Sequence, residues 1–256
     1  MANSNHRNPR SLGVIGLGAF GRLMAEHLCP HFRLYGFDPA KPKDDAAAMK
    51  GVALADLAAV ARCDIVVLAT PVNKFGAVIA AIRPHLRPGT LVLDVGSVKI
   101  APAEIMKRDL PGDVDIVGTH PLFGPQSARG GIRGLKIAVC PIRGARAPRV
   151  AAFLRKTLGL KVIMTTPDAH DREVAMAQGL THLIAKVLVG MEPLPTRMTA
   201  PSFDLLAKAA EMVRYDAPEV FLAIEKTNPY ARGVRARFFA LAAELDAALA
   251  QSGGGE

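Results

Sequence analysis

The sequence contains no tryptophan and only three tyrosines in 256 residues. That poverty of aromatic platforms argues against a nucleic-acid binder that stacks bases. Cysteine is scarce as well: Cys29, Cys63 and Cys140 are odd in number, widely spaced and without metal-ligand spacing. They predict neither a disulfide framework nor a metal site, but structural thiols in a reducing compartment. No apolar run approaches the roughly 20 residues needed to span a bilayer. Residues 1–10 are polar and basic, lack the apolar stretch of a signal peptide and read as a frayed tail. A cytoplasmic protein with no membrane partner is expected.

What is present is a chain that is half apolar and carries a formal charge of +9. The basic residues are scattered; the densest group is Arg129, Arg133, Lys136, Arg143, Arg146 and Arg149. Such a distribution suits a solvated basic face, or a field that draws in small anions, better than a nucleic-acid partner. The length suits one large domain or two modest ones.

Residues up to 165 alternate short β-branched runs with longer alanine-rich segments, the pattern of βαβ units and a parallel sheet. Strands are predicted over 12–15, 33–37, 64–69, 91–95, 115–118, 137–140 and 162–165. Helices are predicted over 19–28, 54–62, 75–85, 101–108 and 147–158. Beyond Pro167 the strand signal stops, and helices are predicted near 168–191, 202–214, 217–227 and 229–250, with residues 252–256 as a tail. The predicted architecture is an α/β Rossmann-like dinucleotide-binding domain over 1–166 followed by an all-α domain over 167–256. About 90 residues cut into four helices have little core of their own. Packing against a second copy, a homodimer, is the natural remedy.

Gly16-Leu17-Gly18-Ala19-Phe20-Gly21 follows the first predicted strand and opens the first helix, the context in which this pattern binds a dinucleotide. Gly16 permits the tight turn, Gly18 lets backbone approach a pyrophosphate, and Gly21 lets helix and strand pack closely. The helix N-terminus offers free N–H groups to phosphate. Asp38 ends the second strand, seventeen residues after Gly21, where a carboxylate accepts hydrogen bonds from a ribose and repels a 2′-phosphate. NAD is therefore expected rather than NADP, although Lys41 and Lys43 lie just downstream. Thr70 and Pro71, after the 64–69 strand, border the same crevice.

Two further strand ends carry polar groups. Ser97 lies in Asp94-Val95-Gly96-Ser97-Val98-Lys99, and His120 in Gly118-Thr119-His120-Pro121-Leu122-Phe123-Gly124-Pro125. The histidine is expected just past its strand, in a rigid Pro/Gly loop. A neutral imidazole there is suited to take a proton from a substrate hydroxyl as hydride leaves the same carbon.

With these motifs, and with His170-Asp171 followed by Gln178-Gly179-Leu180-Thr181-His182, the chain resembles the prephenate/arogenate dehydrogenase family over nearly its whole length. The resemblance implies a Rossmann-like domain, a helical dimerisation domain, and oxidative decarboxylation of a cyclohexadienyl substrate in tyrosine biosynthesis. It implies His120 as proton acceptor for the ring 4-hydroxyl, Ser97 as its polar support and His182 as a substrate-pocket residue. Gln126 and Ser127 are expected to contact substrate or to cap a turn, and His170 and Asp171 to be capping and surface residues. Prephenate-specific relatives carry a helical-domain arginine that clamps the side-chain carboxylate; Glu211 stands at that position, with Arg214 three residues on as a substitute. A carboxylate there suits the ammonium group of arogenate. At this length neither a fused mutase nor a regulatory domain is expected. Alternatives are a β-hydroxyacid-type dehydrogenase, for which Lys186 would serve, and a non-catalytic NAD-binding sensor.

Overall fold

The structure, a computed structural model, describes residues 10–40 and 49–252; Lys41, Lys43 and the two predicted tails, apart from Arg10 and Ser252, fall outside these residues. The chain divides into two compact units, Met1–Pro167 and Asp168–Glu256.

The first unit is built on an eight-stranded sheet in the order β3-β2-β1-β4-β5-β6-β7-β8. Its strands are β1 (Ser11–Ile15), β2 (Arg33–Phe37), β3 (Val52–Leu54), β4 (Ile65–Leu68), β5 (Leu91–Asp94), β6 (Asp115–Pro121), β7 (Lys136–Arg143) and β8 (Lys161–Met164). The first six in sheet order pair in parallel, so their C-terminal ends share one edge. With helices on both faces this is a Rossmann-like α/β unit. One face packs α1 (Ala19–Leu28) and α5 (Ala147–Lys156) against Leu12, Val14, Val67 and Val139. The other packs α2 (Leu57–Ala61), α3 (Phe75–Ile82) and α4 (Ile100–Asp109) against Val66, Leu68, Val92 and Ile116. Strands buried on both faces read as continuous apolar runs, as Ile65-Val66-Val67-Leu68 does.

Three features depart from the sequence expectation. The sheet is not wholly parallel: β7 runs antiparallel to β6. The connection from Leu122 to Leu135 contains no helix to carry the chain across the sheet, so it returns alongside. The edge strand β3 is not among the predicted strands, and its Leu54 falls at the start of the helix predicted over 54–62; three residues are too few to show a period, and pairing with β2 creates it. Finally, β6 does not stop at Gly118. Its ladder with β5 ends at Asp94↔Gly118, but antiparallel pairing carries it on through His120↔Ala138 and Pro121↔Ile137.

The second unit is helical throughout: α6 (Pro167–Val174), α7 (Leu180–Gly190), α8 (Pro201–Val213), α9 (Pro218–Leu222) and α10 (Ala231–Ser252). Two π turns, Ala175–Gly179 and Ala223–Thr227, interrupt what the sequence predicts as continuous helices, and they pack on each other. Gly179 allows that approach, since a Cβ there would stand 3.3 Å from Glu225 Oε1. No helix among the described residues is long and apolar enough to cross a membrane.

Candidate active site

The glycine loop joins β1 to α1 at the C-terminal edge of the sheet. Gly16 has φ +100°, and a Cβ on it would meet the Ala69 carbonyl oxygen at 2.7 Å. On Gly21 a Cβ would meet the Gly16 carbonyl oxygen at 2.1 Å. Neither position admits a side chain. Gly18 differs: a Cβ there meets nothing within 4 Å, so its bare backbone faces open space at the start of α1, where no side chain caps the helix. This is the arrangement a pyrophosphate needs, an open approach to uncapped N–H groups at a helix dipole's positive end.

Asp38, just beyond β2, accepts hydrogen bonds from the N–H groups of Leu17 (2.8 Å) and Ala40 (2.9 Å). Its carboxylate thus braces the glycine loop, and each oxygen keeps a lone pair for a ribose hydroxyl. Leu17 is fully buried, while Ala19 and Phe20 begin α1. The turn after β4 abuts Gly16; there Thr70 Oγ1 is buried without a protein hydrogen-bond partner, and Pro71 is exposed. A cofactor hydroxyl or amide would satisfy that orphan oxygen.

Past β5 the chain turns through Ser97, which is half-buried, to Lys99. Lys99 and Asp94 form an ion pair in which both side chains are fully buried. The same Asp94 oxygen accepts from the Gly96 N–H at 2.9 Å, tightening the Ser97 turn. Gly118 makes room for the pair, since a Cβ there would press within 3.2 Å of Lys99 Cδ. Next to it on β6, Thr119 donates from Oγ1 to the Asp94 carbonyl at 2.5 Å. His120 follows, 2 % exposed and two residues beyond Gly118, so on the same face of the sheet as the ion pair. The residue expected in a loop is therefore held in a strand by pairing with Ala138 of β7, just past the end of the β5 ladder, and its ring is buried. The sequence reading missed the Asp94–Lys99 pair, though its signal was there: two opposite charges flanking a buried strand end. After β6, Ser127 closes its own turn, donating to the Gly124 carbonyl at 3.1 Å and accepting its N–H at 3.0 Å. Gln126 beside it is half-buried.

In the helical unit His182 is buried on α7, its Nε2 3.7 Å from Asp216 Oδ2. Burial, aided by the Lys186 ammonium, pushes this imidazole down to about 4. Burial raises the Asp216 carboxyl. At that distance the contact is electrostatic rather than a hydrogen bond, and the imidazole is neutral at physiological pH. Arg214 is ion-paired with Glu192 and lies 3.4 Å from Glu211 Oε2, so two carboxylates of its own unit engage its charge. Lys186 is exposed, with its ammonium 5.8 Å from the centre of the Phe221 ring.

His170 and Asp171, expected at the surface, are instead buried and joined by a 2.7 Å hydrogen bond. Asn228 donates to the Asp171 carbonyl at 2.7 Å and accepts the Tyr230 N–H at 2.9 Å, tying α6 to the start of α10. A polar pair followed by a charged stretch looks like surface in a sequence; the partner that buries it lies 57 residues away.

Residues 21–141 match the family model for the nucleotide-binding domain of prephenate dehydrogenase. Among curated proteins, a probable arogenate/prephenate dehydrogenase of Methanocaldococcus jannaschii is 28% identical over 72% of this chain and 43% of its own length. Arogenate dehydrogenase 1, chloroplastic, of Arabidopsis thaliana is 28% identical over 86% of this chain and 36% of its own. The chain thus spans less than half the length of either relative. Among solved structures, prephenate dehydrogenase from A. aeolicus in complex with hydroxyphenyl propionate and NAD+ superposes with a TM-score of 0.74. It shares 19% identity and covers 95% of this chain and 91% of its own, a likeness of fold.

Proposed function

Because this chain belongs to the prephenate/arogenate dehydrogenase family, we propose that it oxidatively decarboxylates a cyclohexadienyl substrate, prephenate or arogenate, with NAD as hydride acceptor. The observation that carries the reading is His120, buried and held by its β7 partner Ala138 at the sheet edge where the glycine loop opens.

The open face of Gly18 receives the pyrophosphate, and Asp38 the adenosine ribose, with Thr70 and Pro71 at the wall of the crevice. A carboxylate at Asp38 repels a 2′-phosphate, which favours NAD over NADP. When bound, NAD supplies the acceptor for the hydride leaving C4 of the ring. His120, through an unprotonated ring nitrogen, accepts the proton of the 4-hydroxyl as the carbonyl forms. The ring carboxylate departs as carbon dioxide and the ring becomes aromatic. Aromatisation drives the reaction, so orientation and one proton acceptor are what the protein must provide. Ser97 supports the 4-hydroxyl, and its turn is held by the Asp94 carboxylate.

In the helical unit we assign His182 to a polar group of substrate; as a neutral imidazole it acts through a hydrogen bond, not a charge. Gln126 remains a contact residue in this reading. Ser127, whose hydroxyl closes its own turn, and Arg214, whose charge Glu192 and Glu211 engage, hold local structure instead. With Glu211 where a carboxylate-clamping arginine is expected, arogenate, or both substrates, is favoured over prephenate alone. The protein acts as a homodimer assembled through the helical unit.

The test is the initial rate of reduced cofactor formation with prephenate and with arogenate, each with NAD and NADP. Turnover of either ring substrate with NAD is expected, faster with arogenate. Silence in all four combinations, with NAD still bound, would sink the reading.

A further inference from the structure

On the face of the sheet opposite His120, α1 and α5 leave an apolar cavity of about 320 Å³ between them. Its floor is the alternate residues Leu91, Leu93 and Val95 of β5 and its continuation. At ~3.3 Å per residue these span about 13 Å along the strand. Met24 of α1 and Phe153 of α5 form facing walls. The inner end reaches Phe20 of the glycine loop and Thr119 and Pro121, which flank His120 but point to this face by strand alternation.

The charged lining residues gather at the other end, where the parallel strands begin. Arg10 immediately precedes β1, and Arg146 and Arg149 lie at the start of α5. Arg146 is paired with Asp115 at 2.7 Å, and Arg10 lies close enough to Asp64 to help lower its carboxyl pKa. Arg149 is exposed and makes no ion pair among the described residues. An apolar slot with excess positive charge gathered at one end matches a molecule with an apolar body and one anionic end.

A cavity near 150 Å³ holds one benzene ring, so this one has room for about twice that body. We propose that the cavity is a binding site for a monocarboxylate with an apolar tail of about ten carbons, its carboxylate held at the mouth by Arg149 and Arg10. The site lies on the other face of β6 from His120, with its inner end against Phe20 of the glycine loop and its basic end at the opposite edge of the sheet from the dinucleotide crevice.

The test is calorimetric titration of the full chain with decanoate, with and without NADH. Saturable binding of one decanoate per chain is expected, undiminished by NADH. Decanol, which lacks the charge, should bind at least tenfold more weakly. Arg149→Glu, at an exposed position that leaves the fold alone, should weaken decanoate at least tenfold, and Val150→Trp, which fills the slot, should abolish it. No saturable binding, competition by NADH, or binding that Arg149→Glu leaves intact would each overturn the proposal.

Discussion

The two units bury themselves by different means. Of the buried apolar residues, only seven lie in the helical unit, and four of those are alanines. Of sixteen large hydrophobic residues exposed among the described residues, thirteen lie in that same unit. In α10, residues 239–251 are exposed throughout, Phe239, Leu241, Leu245 and Leu249 among them. In the α/β unit the central strands are covered on both faces, and the buried polar residues apart from Thr90 (Asp94, Lys99, Thr119 and His120) crowd the adjoining ends of β5 and β6. In the helical unit His170, Asp171, His182, Glu225 and Asn228 make up much of the small interior. A unit that hides polar groups and shows its leucines to water has little apolar burial of its own to stabilise it and presents the kind of surface that marks an interaction site. A unit with the reverse distribution has an apolar core large enough to hold a buried charged pair.

The sharpest test of that contrast is at the polar end of the α/β unit. His120→Asn should cut turnover by roughly 10²–10⁴-fold, the usual share of a general base, while NADH affinity, read by fluorescence titration, stays nearly unchanged. Unaltered turnover would remove His120 from its role. Next in size is Lys99→Met, which strands Asp94 without its buried cation. A loss of about 3–5 kcal/mol in urea unfolding is expected. Adding Asp94→Asn should recover much of it; a double variant no better than the single would show that the pair is not the source.

The helical unit should respond to mild acid through His182. His182 is held near 4 against an ordinary value of 6.5, so between those values the unfolded chain binds the proton and the folded one does not. Stability therefore falls as pH drops through this window, by about 2 kcal/mol at pH 5. Asp216, raised by burial, acts in the opposite direction, so the comparison is with His182→Gln. Denaturation at pH 7 and pH 5 should show the extra loss in the parent protein and not in the variant. The smallest effect is expected at the exposed leucines. Leu245→Asp should weaken self-association at least tenfold, about 1.4 kcal/mol, as seen by sedimentation velocity. A parent protein that stays monomeric at high concentration would mean that something else covers α10.

Much of the α/β unit was legible because its signals are local. Residues 33–37 form the predicted strand and residues 19–28 the predicted helix, since continuous apolar runs and glycine turns need no distant partner to be read. The glycine loop was legible for the same reason: the φ of Gly16 and the crowding at Gly21 are demands of a tight turn. Residues whose setting depends on distant partners were not. The extension of β6 through His120 comes from β7, and the burial of His170 and Asp171 from a loop near Asn228.

The sequence by itself determined the order of elements, the dinucleotide loop and the identity of the histidine worth suspecting, because each is written in a few adjacent residues. Only the tertiary structure decided that β7 turns back, that Asp94 and Lys99 neutralise one another beneath the Ser97 turn, and that α1 and α5 stand apart over an apolar slot. Those are matters of pairing and spacing between segments far apart in the chain, settled by which arrangement satisfies buried charge and covers apolar surface together.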